Sequence, residues 1–96
     1  MYPVFRKFNY VSSVAEAARR AESGIGQVLK QSPGFQGYYV FDAGDGMGGS
    51  VTLFDSRETT IVANEKALAW IRASLIDVVN GEPEITISEV LAVVTA

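Results

Sequence analysis

Asn64, Trp70, Arg6 and the adjacent pair Tyr38 and Tyr39 are the side chains whose types and settings could carry chemistry. Asn64 sits on an apolar helical stripe between Ile61 and Leu68. An unpaired amide there would cost about 1–3 kcal/mol, so it either bonds backbone or water in the core or orients an oxygen atom of a ligand. Trp70 lies beside that stripe on a line with Ala63, Ala67 and Ser74, whose small side chains leave space next to the indole. Its large apolar area suits a core, an interface or the wall of a ligand pocket. Arg6 alternates with Val4, Phe8 and Tyr10. Its guanidinium pairs with a carboxylate such as Glu89, reaches solvent past an apolar stem, or binds an anionic group. Tyr38 and Tyr39 point to opposite faces of one strand, so at most one of them lines any single pocket.

Other chemistry is removed by composition. With no cysteine and no histidine, the chain has no thiol nucleophile, disulfide, His-based acid or base, or haem-ligating His. Gly44-Asp45-Gly46-Met47-Gly48-Gly49 satisfies the letter of the G-x-G-x-x-G fingerprint. A phosphate site needs a helix to follow, however, and Ser50 to Phe54 reads as a strand, which leaves a hairpin turn. Asp42 and Asp45 flank that turn, but the twelfth position counted from either is Leu53 or Ser56, not the glutamate of a calcium loop. The expectation is therefore no metal and no cofactor. A formal net charge of −3 lacks the basic footprint that neutralises phosphates, which argues against nucleic acid. No apolar run is longer than the five residues of Val90 to Val94, far too short to span a membrane, and no signal-peptide pattern follows Arg6 and Lys7. A cytoplasmic protein is expected.

The elements that must position these residues are legible from periodicity. The 96 residues suit one domain, 1–96. Val4 to Val11 alternates as a strand. Ser13 with Glu16 forms a capping-box signature, and Val14, Ala17, Ala18, Ala21, Ile25, Val28 and Leu29 fall at helical spacing, which predicts a helix over 14–31. Glu16 is placed to pair with Arg20, and Arg19 with Glu22. Gly24 and Gly26 inside that helix mark a bend or a close approach. Ser32-Pro33-Gly34 stops it. Phe35 to Ala43 and Ser50 to Phe54 are expected to form an antiparallel hairpin. Asp55 or Ser56 caps a second helix with the stripe Ile61, Asn64, Leu68, Ile71, Leu75 and Val78, ending near Asn80 and Gly81. Pro83 forbids continuation, and Glu84 to Thr95 reads as a last strand with a bulge near Ser88 and Glu89. The order βαββαβ fits an α+β, ferredoxin-like, four-stranded antiparallel sheet. Hydrophobic residues make up 48% and charged ones 20%, and the second strand is apolar on both faces, so some apolar surface is expected to meet another subunit.

Pro33-Gly34-Phe35 entering the second strand, Gly37-Tyr38-Tyr39, the Gly44-Asp45-Gly46 hairpin, and Ala63-Asn64 with Ala67 and Trp70 resemble the antibiotic biosynthesis monooxygenase-like (ABM-like) family. The resemblance extends over nearly the whole chain. It implies a homodimer, the dimeric α+β barrel in which two sheets meet face to face, with a pocket between sheet and helices in each subunit. It also implies a cofactor-independent monooxygenase acting on a small aromatic or quinol-like substrate, with Asn64 orienting an oxygen atom, Trp70 as an apolar wall, and Arg6, Tyr38 and Tyr39 as ligand-binding candidates. The alternative is a non-catalytic module that binds a small ligand or serves assembly. Haem-degrading members use an asparagine on the first strand, a tryptophan on the second helix and a histidine ten residues later. This chain offers Asn9 and Trp70, but Asn80 stands in the third place. Any ligand site is expected on the second helix and the sheet, with Asn64 bordering a cavity of about 300 Å³ or more.

Overall fold

In the first strand, β1 (Tyr2–Phe8), alternate residues take opposite faces: Val4 and Arg6 are buried and Phe5 and Lys7 exposed. The computed structural model describes all residues, Met1–Ala96. The strand ends three residues before the sequence pattern does, its last match being Phe8 with Gly48 near the start of its neighbour β3 (Met47–Phe54). Val11 instead makes an isolated bridge with Val79.

Ser13 then caps α1 (Val14–Ser23), its Oγ accepting from the Glu16 backbone N–H at 3.2 Å, a bond of the kind worth about 1 kcal/mol. The reciprocal half of the capping box is replaced, since the Glu16 carboxylate is drawn to Arg19 and Arg20. The pairing of Arg19 is thus with Glu16 one turn back, not with Glu22. The single helix expected over 14–31 is broken at Gly24 into α1 and α2 (Ile25–Lys30). A Cβ at Gly24 would lie 2.6 Å from Trp70 Cζ2, so glycine here lets the indole pack directly on the backbone.

The strand β2 (Phe35–Gly44) turns into β3 through Asp45 and Gly46, both at positive φ (55° and 74°), as a two-residue hairpin loop requires. Asp42 is committed to this turn, its Oδ1 accepting from the Gly44 N–H at 2.8 Å. Gly48 and Gly49, expected in the turn, belong to the strand. The Phe41 ring lies across Gly49, where a Cβ would come within 2.5 Å of it.

Ser56 caps α3 (Arg57–Ser74), accepting from the Thr59 N–H at 3.2 Å. Its buried face is Thr60, Ala63, Asn64, Ala67 and Ile71, so the stripe read from the large residues is rotated toward the alanines. Arg6 and Phe54 on the sheet already fill the interlayer space opposite the middle of the helix, which suits the small side chains of Ala63 and Ala67. The helix stops six residues before Asn80. The edge strand β4 (Glu84–Ile87) is likewise shorter than its apolar run. Ser88 N–H and Val90 N–H still donate to Pro3 and Met1 carbonyls at 3.1 and 3.0 Å, in the register of the Val4–Ile87 pair, so there is no bulge. Leu91, Val93 and Val94 are exposed.

The sheet order is β2-β3-β1-β4, antiparallel throughout, with the helices on one face: an α+β ferredoxin-like fold. Two clusters fill the interlayer. Ala21, Ile25, Leu29, Phe54, Ala63 and Ala67 form one, and Val11, Ala17, Ile71 and Leu75 the other, with Trp70 packed against both. The opposite sheet face leaves Phe5, Tyr39 and Phe41 exposed. No helix is long and apolar enough to cross a membrane.

Candidate functional site

The strand alternation that buries Val4 carries Arg6 to the same face, under the helices, where it is 1% exposed. The register aligns Arg6 with Ser50 and Val4 with Thr52 on β3, so two hydroxyls stand beside the arginine. Arg6 Nε donates to Asn64 Oδ1 at 3.0 Å, Nη1 to Ser50 Oγ at 3.4 Å and Nη2 to Thr52 Oγ1 at 3.4 Å. No carboxylate reaches it. Five N–H groups therefore meet three neutral acceptors, two of them at long range, and a full positive charge is buried without a counter-charge. Desolvation pushes the guanidinium pKa down to about 10, slightly opposed by coupling to Tyr38. It is still a cation at neutral pH.

Tyr38 faces the helices from β2, and burial raises its pKa, with the Arg6 charge acting the other way. It stays a neutral phenol. A cavity of about 40 Å³ lies between sheet and helices, lined by Phe8, Tyr38, Ser50 and Trp70 among mainly aliphatic neighbours. Tyr38 and Val40 also line an open groove of about 370 Å³ between α1, α2 and β2, so they form the wall between the two spaces.

The sequence candidates thus divide. Arg6 and Asn64 are joined directly, Trp70 and Tyr38 share the neighbouring cavity, and Ser50 links the two groups. Tyr39 is on the other face of the sheet, 59% exposed, and away from this site. The carboxylate partner considered for Arg6 is absent: Glu89 is exposed and unbonded to it. Asn64 spends its carbonyl on Arg6 rather than on backbone, and contrary to expectation it does not line the neighbouring cavity, which is also far smaller than the expected size. Asn9 donates to Glu84 at the surface, 2.8 Å away, so it does not face the cavity. Ser50 and Thr52 escaped the sequence reading. Their signal is the alternation Ser50, Thr52, Phe54 on one face of β3, which becomes informative only once the register with Arg6 is known.

The arrangement sets a hydroxyl, a phenol and an indole around an apolar space, with a fixed buried cation behind the hydroxyl. The set contains no strong base. No group of three or more acidic, histidine or cysteine side chains is gathered as for a metal.

No family model and no curated protein matches the sequence. Solved structures match over nearly the full length. A protein of unknown function from Nitrosomonas europaea superposes with TM-score 0.77 at 14% identity, covering 99% of this chain and 93% of the other. A monooxygenase from Streptomyces coelicolor, in complex with nanaomycin D, gives 0.76 at 15%, covering 99% and 91%. A mutant of SnoaB, a cofactor-independent oxygenase from Streptomyces nogalater, gives 0.76 at 10%, covering 99% and 97%. The chain has the fold of the antibiotic biosynthesis monooxygenases, a fold shared by solved structures with and without an assigned function.

Proposed function

We propose that the protein is a cofactor-independent monooxygenase of small, electron-rich, quinol-like aromatics, and that it works as a homodimer. The observation that carries the reading is Arg6, a buried cation with no carboxylate, held by Asn64 and Ser50 at the edge of a cavity walled by Trp70 and Tyr38. A cation left without a counter-charge in a desolvated core is costly to folding and useful for binding an anion. A phenolate placed there supplies its own electrons to dioxygen. For a ring with a free para C–H, one oxygen atom enters the ring as the new quinone carbonyl. The other leaves as water with the ring hydrogen and the phenolic proton. The protein's part is orientation and exclusion of water. Fold likeness to a cofactor-independent oxygenase supports the reaction class by analogy. Exposed Phe5, Tyr39 and Phe41 on the open sheet face, with the apolar tail Leu91 to Val94, support the dimer.

A second reading, a non-catalytic ligand-binding or assembly dimer, is favoured by the cavity size: about 40 Å³ holds water and not a ring. A ring needs Tyr38 to turn aside and join the cavity to the outer groove. Oxygen consumption with a panel of hydroquinones and polyphenols separates the two. Uptake by the wild type that is lost in Asn64→Ala supports the enzyme; a protein inert across the panel sinks it.

A further inference from the structure

The Ser50 hydroxyl is 3% exposed and sits between the buried cation and the cavity. Its oxygen accepts from Arg6 Nη1, so its own proton must point elsewhere, and it donates to no protein group. Around it the cavity wall is aliphatic, with the Gly48 and Gly49 backbone on the same strand. The other lining residues with a polar side-chain atom are Tyr38 and Trp70, and neither is bonded to a cation. A hydroxyl that accepts from a charged donor gives up its own hydrogen bond more strongly. Glycine at 48, two residues before Ser50 on the same face of the strand, lets Val14 lie against the backbone there, since a β-carbon would come within 3.3 Å of it.

We infer that Ser50 is the specificity-determining residue of this cavity: its O–H, polarised by Arg6, takes the oxyanion of a bound phenolate and selects anionic, oxygen-bearing rings over neutral isosteres. This rests on the ligand-binding reading above and adds the atom that makes the contact. Arg6 is then a positioning residue that acts through Ser50. Its guanidinium is not part of the cavity wall, so the ligand senses the charge through the hydroxyl.

The test uses 4-nitrophenol, whose phenolate absorbs in the visible and which ionises near neutral pH, against 4-nitrotoluene, which has the same ring and nitro group without the oxygen. In the wild type, 4-nitrophenol should bind more tightly as the pH rises through its ionisation, and its bound form should ionise at a pH lower by about one unit. Ser50→Ala should cut the preference for the phenolate at least about fivefold and leave the 4-nitrotoluene affinity within about twofold. Ser50→Thr, which keeps the hydroxyl, should restore the preference, and it also serves if the alanine variant fails to fold. A bound 4-nitrophenol with unshifted ionisation, or variants that weaken both probes in parallel, would overturn the role of Ser50 and leave the ligand-binding reading standing. Failure of both probes to bind the wild type would overturn the ligand-binding reading and this inference with it.

Discussion

Replacing Arg6 with methionine and Asn64 with leucine together should stabilise the protein. Burial lowers the Arg6 guanidinium pKa to about 10. At about 1.4 kcal/mol per pH unit this represents about 3 kcal/mol of unfavourable desolvation at neutral pH. Methionine fills nearly the same volume without charge, and leucine at position 64 removes the amide that Arg6 satisfies. What is lost are the two contacts at 3.4 Å to Ser50 and Thr52, each worth at most about 1 kcal/mol. The net is a gain of about 1–2 kcal/mol, or a rise in Tm of roughly 5–15 °C for a chain of this size. Arg6→Met alone should be close to neutral, because relief of the charge is offset by about 1–3 kcal/mol for the stranded Asn64 carbonyl. Thermal unfolding by circular dichroism at one fixed protein concentration reads both, fixed because association shifts Tm. The same ledger has a pH signature. The folded pKa lies below the unfolded one, so above about pH 10 the native state binds fewer protons, and wild-type stability should climb relative to Arg6→Met. A double variant less stable than wild type by about 2 kcal/mol or more would refute the reasoning. It would make Arg6 a structural staple whose network is worth more than its desolvation.

Gly24→Ala should destabilise by about 1–3 kcal/mol and shift the Trp70 emission, because the new Cβ meets the indole at 2.6 Å and the Arg20 carbonyl at 2.9 Å. Acid should loosen the clasp between Arg20 and Asp77, whose oxygens lie 2.7 and 3.0 Å from the guanidinium. Hydrogen bonding from Arg20 holds the Asp77 pKa below the ordinary carboxylate value, and bonding from Arg19 does the same for Glu16. Their contribution is therefore present above about pH 4 and lost as pH falls below it, and Asp77→Asn should flatten that part of a stability-versus-pH curve. Deleting Val90 to Ala96 should abolish the dimer before helix content is lost. Sedimentation with circular dichroism checks this, and a wild-type monomer at every concentration would remove the dimer altogether.

Features set by neighbours in sequence were readable from the sequence. Ser13 as a cap, Ser56 as one of two candidate caps beside Asp55, Pro33-Gly34 as a stop and Gly44 to Gly46 as a turn act within a few residues, and the structure has them in those roles. Features set by what lies across the interlayer were not. Periodicity puts Arg6 on a face but does not say whether that face is covered, and its burial depends on α3 lying over it. The buried face of α3 follows Ala63 and Ala67 rather than Ile61 and Leu68, which suits the bulk on the sheet. Gly48 and Gly49 read as turn residues because the demand for glycine comes from Val14 and from the Phe41 ring on the facing strand. Asn64 was singled out correctly as a polar residue needing a partner, yet the partner is 58 residues away, beyond any local signal.

The packing of Trp70 against both core clusters ties together parts of the molecule that could otherwise loosen separately. It is the sole tryptophan, it rests on the backbone at the break between the first two helices, and it borders the cavity. One chromophore therefore samples three events: fraying at the helix break, melting of either half of the interior, and arrival of a guest. If the halves come apart in sequence, its emission must change in two steps. If they are one mechanical unit, a single sigmoid will follow the backbone signal at every temperature, and a bound quinone, an efficient quencher, will darken it before any unfolding begins.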